Sequence, residues 1–125
     1  MSLITRVHHA SLVTSNLDAS RAFYEGVLEL KVNPARPNFA YGGIWYDIGE
    51  QMIHLLAVPN PDAGVVRPAH GGVDRHTALL VDHLDELIAR LEQAGIPYSL
   101  SKSGRRALFC RDPDENALEF IEQPL

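Results

Sequence analysis

The sequence predicts an α+β fold built from two tandem βαβββ modules. Three observations lead there. Two segments open alike, His9-Ala-Ser-Leu-Val-Thr-Ser-Asn-Leu17-Asp18 and His76-Thr-Ala-Leu-Leu-Val-Asp-His-Leu84-Asp85. Two segments close alike, Ile53-His54-Leu55 and Leu118-Glu119-Phe120. Between them each copy passes from a strand-like pattern to a helix-like one and back, which marks a duplicated supersecondary unit. The 125 residues make one domain of ordinary size. Within it we expect a first module over 1–58, a linker over 59–75 and a second module over 76–125.

In the first copy, residues 6–14 read as a strand with Val7, His9, Ser11 and Val13 on one face. Asn16 can cap the following helix by accepting from its free N–H groups. That helix runs to about Glu29 and buries Leu17, Phe23, Val27 and Leu28. Pro34 and Pro37 then break the chain into a loop. Strands follow over 43–47 and 52–57, joined by a hairpin turn at Gly49-Glu50. Pro59, Pro61, Gly64, Pro68, Gly71 and Gly72 punctuate the linker, which is placed to act as a flap.

The second copy is clearer. A strand covers 76–81. Leu84, Leu87, Ile88 and Leu91 recur at i, i+3, i+4 and i+7, one face of a helix. Gly95 suits the left-handed position after that helix, and Pro97 prevents its continuation. Three strands are expected over 98–101, 106–111 and 117–122, the last two joined by a turn at Asp112-Pro-Asp-Glu115.

Bulk composition removes several classes of function. A formal charge of −5 with no basic cluster argues against a nucleic-acid surface. One cysteine, Cys110, allows no intramolecular disulfide and fits a reducing compartment. No apolar run approaches membrane-spanning length, and the N-terminus lacks the pattern of a signal peptide. A cytoplasmic protein that binds neither nucleic acid nor a membrane is the expectation.

Strand parity then groups four residues. His9 lies with Ser11, His54 with Met52 and Leu56, His76 with Ala78 and Leu80, and Glu119 with Ala117 and Ile121. The opposite faces carry Leu12, Ile53, Leu55, Leu79, Val81, Leu118 and Phe120, which a helix would cover. A lone strand histidine is usually a hydrogen-bonded core or surface residue. Four polar side chains at repeat-related positions call for a common partner, because buried polar groups need one. One divalent ion (Zn, Fe, Ni, Mn or Co) is the simplest that suits imidazole and carboxylate together.

The segments His9–Leu17, Phe23-Tyr24-Glu-Gly-Val-Leu28, Ile53–Leu55, His76–Leu79 and Arg111-Asp-Pro-Asp-Glu-Asn-Ala-Leu-Glu119 resemble the vicinal oxygen chelate superfamily. It includes glyoxalase I, extradiol dioxygenases, fosfomycin-resistance proteins, methylmalonyl-CoA epimerase and bleomycin-resistance proteins. The resemblance covers nearly the whole chain. It departs at Glu115, where the family usually has Gly. It implies that two curved βαβββ sheets form a funnel and that His9, His54, His76 and Glu119 are the metal ligands. It also implies a metal-dependent isomerase, lyase or dioxygenase acting on a small substrate with adjacent oxygens. The alternative is a metal-free binding protein of the bleomycin-resistance kind.

Within that family, His54 stands where glyoxalase I usually carries a carboxylate. Glu119 is therefore the only acid of the set and the expected catalytic base. Residues 107–111 lack the Tyr usual in extradiol dioxygenases. The modules of this superfamily pair within one chain or across two, and the sequence leaves that open. Uncovered sheet edges favour a homodimer.

Two further residues are candidates for substrate binding. Arg106, in Ser103-Gly-Arg-Arg106, could hold a carboxylate or phosphate, or lie in a solvated turn. Trp45 could line an apolar pocket or belong to the core. His8 is expected to face away from His9, and His70 and His83 to be exposed. Cys110 reads as a small core residue.

Overall fold

A computed structural model describes residues 1–123. Its eight strands form two four-stranded sheets, one from each copy of the repeat. The first contains β1 (His9–Val13), β2 (Lys31–Val32), β3 (Gly42–Ile48) and β4 (Gln51–Ala57) in the order β1-β4-β3-β2. The second contains β5 (His76–Val81), β6 (Tyr98–Leu100), β7 (Ala107–Arg111) and β8 (Ala117–Glu122) in the order β5-β8-β7-β6. In each sheet the first and last strands run parallel and the others antiparallel. This is the α+β, two-module architecture that the repeat predicts.

The first helix, α1, spans Leu17–Arg21 and continues as a π-helical stretch over Ala22–Val27. Asn16 caps it, accepting from the Ala19 N–H at 3.1 Å. The wide turn ends where the Leu28 N–H reaches the Phe23 carbonyl, five residues back. The second helix, α2, spans Leu84–Gln93, and Gly95 follows it at φ 71. Its first N–H, on Leu84, donates to the Glu122 carboxylate at the end of β8.

Parity decides where the core sits. Tyr46, Ile53 and Leu55 of the first sheet and Leu108, Leu118 and Phe120 of the second are buried together with Phe23, Tyr24, Leu84 and Leu91 from the helical segments. Cys110 belongs to this core, and burial with Asp112 nearby pushes its thiol up to about 12. The opposite sheet faces are left for the candidate ligands.

Two differences from the sequence expectation have local causes. The strand β1 starts at His9 rather than residue 6, so parity does not govern His8. The first of the three strands after the helix in the first module, β2, is only the two residues Lys31–Val32, too short to show a period.

The turn at Asp112 fastens the halves together. Its buried carboxylate accepts from Tyr24 Oη at 2.7 Å and Asn116 Nδ2 at 2.9 Å. Asn116 Nδ2 also donates to the Val13 carbonyl, and the Ser15 N–H donates to Asp114. Burial raises the Asp112 pKa, against the pull of these donors. Glu115, where the family usually has Gly, sits at φ 68. Only Gly takes that left-handed conformation without cost.

Candidate metal centre

The four candidate ligands lie on the open sheet faces, as two pairs. In the first pair His54 is buried, 7% exposed, and the exposed His9 stacks on it with ring centroids 3.8 Å apart and planes 15° apart. Trp45, the cross-strand neighbour of His54, stacks on its other side at 4.1 Å and 6°. Trp45 is thus on the site side of the sheet. His54 Nε2 is buried and, among the described residues, has no hydrogen-bond partner. Burial, then the His9 and His8 rings and the Arg36 charge, push the His54 imidazole down to about 4. A neutral ring with a free lone pair is what a metal requires.

In the second pair His76 Nε2 stands 3.2 Å from Oε1 of Glu119, which is 3% exposed. The Asp74 carbonyl accepts from His76 Nδ1 at 2.9 Å, which places the proton there and leaves Nε2 facing the carboxylate. Two ligands each about 2.1 Å from one ion, at an angle near 100°, are separated by about this distance. Arg105 Nη2 donates to the other oxygen, Oε2, at 3.2 Å.

The pairs do not converge. Among the described residues, no three His, Cys, Asp or Glu side chains of one chain are grouped to hold an ion. The first pair carries a second constraint. A metal lies in the plane of each imidazole that binds it, and nearly parallel planes cannot share an ion close by. One ring must turn, and exposed His9, at the sheet edge, has the room. The donor set therefore fits a divalent ion pair by pair, with His9 rotated.

Several neighbours differ from expectation. Arg106 does not reach the site. Its guanidinium binds Asp85 of α2 and Glu122 at 2.8 and 2.9 Å, on the helix side of the sheet. Arg105 takes that place, one residue earlier and of opposite parity. Ala107-Leu-Phe-Cys110 is apolar on both faces, so no alternation distinguishes the two arginines. His8 does not turn away from His9, since their Nδ1 atoms are 2.8 Å apart. His70 is half-buried and bonded to Ser99 Oγ, with its ring edge-on to Phe109 at 4.9 Å. His83 is exposed, as expected.

The linker lies on the open face of the second sheet. At Gly71 an added Cβ would sit 3.3 Å from Phe109 and 3.4 Å from Ala117, on the same face as Glu119. Asp74 holds this segment through Arg67 and Arg111. Arg67 first, then Arg111 and the Arg75 N–H, keep its carboxyl well below the usual carboxylate range.

Two cavities flank these elements. One, of about 740 Å³, lies between the first helical segment, the linker and β6–β7, and none of the four ligands lines it. The other, of about 400 Å³, is lined by Ser11 of β1, His76 and Thr77 of β5 and the linker from Asn60 to Val65. The smaller cavity is the one that touches the ligand chemistry.

Comparison with known proteins agrees with the duplicated fold. The sequence profile of the Glyoxalase/Bleomycin resistance protein/Dioxygenase superfamily matches residues 6–120. The uncharacterised protein YwkD of Bacillus subtilis (strain 168) is 30% identical over 128 residues, covering 97% of this chain and 99% of that one. A crystal structure of a Bacillus anthracis protein assigned to the glyoxalase family superposes with a TM-score of 0.80 at 25% identity, covering 99% of both chains. Lactoylglutathione lyase of Agrobacterium tumefaciens superposes with a TM-score of 0.68 at 26% identity, covering 95% of this chain and 94% of that one.

Proposed function

The chain belongs to the glyoxalase, bleomycin resistance protein and dioxygenase superfamily, and from that premise we propose that it is a divalent-metal-dependent enzyme acting on a small substrate with adjacent oxygens. The observation that carries this reading is the pair of matched donor sets. His9 with His54, and His76 with Glu119, occupy equivalent first and last strands of the two sheets. His54 Nε2 is buried without a partner, and His76 Nε2 faces Glu119 at a ligand-to-ligand distance.

On this reading His9, His54, His76 and Glu119 hold the ion. When bound, it would polarise the substrate oxygens and stabilise negative charge developing on them. The chain's own residues do the rest. Glu119 is the one acid of the set and the group able to accept a substrate proton. Arg105 fixes Glu119 Oε2 and leaves Oε1 toward His76. Trp45 holds the His54 ring by stacking and excludes water from it. Relatives of named activity, such as lactoylglutathione lyase, favour an isomerase or lyase over a dioxygenase, consistent with the absence of Tyr from residues 107–111.

The site spans two copies of the chain. The pairs stay apart within one chain, and a homodimer that sets the first sheet of one protomer against the second sheet of its partner would bring them together. The test is metal content per chain, by plasma mass spectrometry, on protein purified without chelator or nickel resin. One equivalent of a transition metal is expected. No uptake after incubation with Zn, Fe, Ni, Mn and Co would leave the metal-free binding protein, with the ring stack as a ligand platform.

A further inference from the structure

Among the described residues, Arg36 is the one arginine with no carboxylate within ion-pair distance; the other eight each have one. It lies in the loop between β2 and β3 and is half-buried. Of its five N–H donors, one is directed to the Tyr41 carbonyl at 2.9 Å. Its carbon centre is 5.0 Å from the Phe39 ring and 5.8 Å from the Tyr41 ring. Those rings are stacked on each other, 5.4 Å apart and 6° from parallel, and both are exposed.

The position of this guanidinium is set by Gly43. A Cβ on Gly43 would come within 3.0 Å of Arg36 Nη2 and 3.2 Å of Nε, and within 2.2 Å of the Leu55 carbonyl oxygen. Gly43 shares its face with Trp45, two residues on, and Trp45 stands opposite His54. Arg36 therefore rests on the same open face as the His9–His54–Trp45 stack. Two strand residues separate the positions, about 7 Å.

We propose that Arg36, framed by Phe39 and Tyr41, is the subsite for a carboxylate at the far end of the ligand whose adjacent oxygens meet the His9–His54 end of the sheet. This rests on the metal-chelating function proposed above and narrows its substrate to a small acid with a carboxylate at its far end. Aromatic faces behind a guanidinium leave its edge free to pair with a planar carboxylate through two parallel N–H bonds. A single fork beside apolar rings matches one negative charge better than a phosphate dianion, which calls for more donors.

The test is calorimetric titration of the full-length protein with 2-oxoglutarate and 2-oxopentanoate. The two share a chelating end, and only the first has a distal carboxylate. We expect 2-oxoglutarate to bind metal-loaded protein at least about tenfold more tightly. Arg36→Met should bring the two within about twofold of each other, with an unchanged circular dichroism spectrum, and Arg36→Lys should fall between. Phe39→Ser, a change at an exposed ring, should weaken 2-oxoglutarate a few-fold and leave 2-oxopentanoate alone. A preference that survives Arg36→Met, no preference, or no binding of either acid would overturn the subsite. Equal 2-oxoglutarate affinity with and without metal, still lost in Arg36→Met, would keep the subsite and remove the chelation reading.

Discussion

The two halves place a pair of polar side chains at the same two strand positions, and the pairs differ in kind. In the first half the pair is aromatic, a stack of Trp45, His54 and His9 in which burial holds His54 neutral. In the second half it is an imidazole beside a buried carboxylate, tied back to Arg105 and the Asp74 carbonyl. The duplicated fold thus fixes where a side chain emerges and leaves its chemistry free. The surroundings diverge too. The first sheet's open face carries the unpaired Arg36, whereas the linker lies over part of the second. On our reading the first half recognises the ligand and the second supplies the charge and the base.

The halves are tied into one folded body through Asp112, and breaking that tie should have the greatest consequence. Asp112→Ala removes the buried acceptor of Tyr24 and Asn116, and should cost about 3 kcal/mol in chemical denaturation. Two separate unfolding transitions instead would show that the halves are independent. The ligand pairs come next. Glu119→Ala should lower metal affinity about 100-fold, and His54→Ala about tenfold, because only the first removes a charge as well as a donor. Equal losses in competition with a chromophoric chelator would erase the asymmetry.

Acid should loosen the linker. The Asp74 carboxyl is held below its ordinary range by Arg67 and Arg111. Its stabilisation is therefore complete above the unfolded value near 4 and is lost as pH falls below it. Between pH 5 and 3, proteolysis within the linker should increase in the wild type. Asp74→Asn should show the open linker already at pH 5. The smallest effect is at Glu115. Glu115→Gly relieves a left-handed backbone at φ 68 and should raise stability by up to about 1 kcal/mol. A loss would mean that its long contact with Arg111, 3.8 Å, outweighs the strain.

Much of this was legible in the sequence. The repeat gave both sheets, since strands 76–81 and 117–122 and the α2 face Leu84, Leu87 and Leu91 carry clean periods. It also gave the ligand faces, because parity follows from strand position alone. Arg105 was hidden by an apolar run without alternation, and β2 by its length of two residues. His8 was misjudged because β1 begins only after it. The seat of Arg36 was invisible for another reason: it depends on the missing side chain of Gly43 across a loop, which no local pattern records. Whether the candidate ligands meet was beyond the sequence as well, since it depends on how whole sheets are set against each other.

On the proposed reading the two unlike pairs meet across two copies of the chain. The direct measurement is the metal content of a heterodimer made by coexpressing a His54→Ala chain and a Glu119→Ala chain under two different histidine-free affinity tags. One of its two sites would take both pairs from unmutated halves, while the other would lose a ligand from each. We predict one metal ion per heterodimer, with neither homodimeric variant fully loaded. A heterodimer no better loaded than the two variants alone would contradict the account and place the four ligands within a single chain.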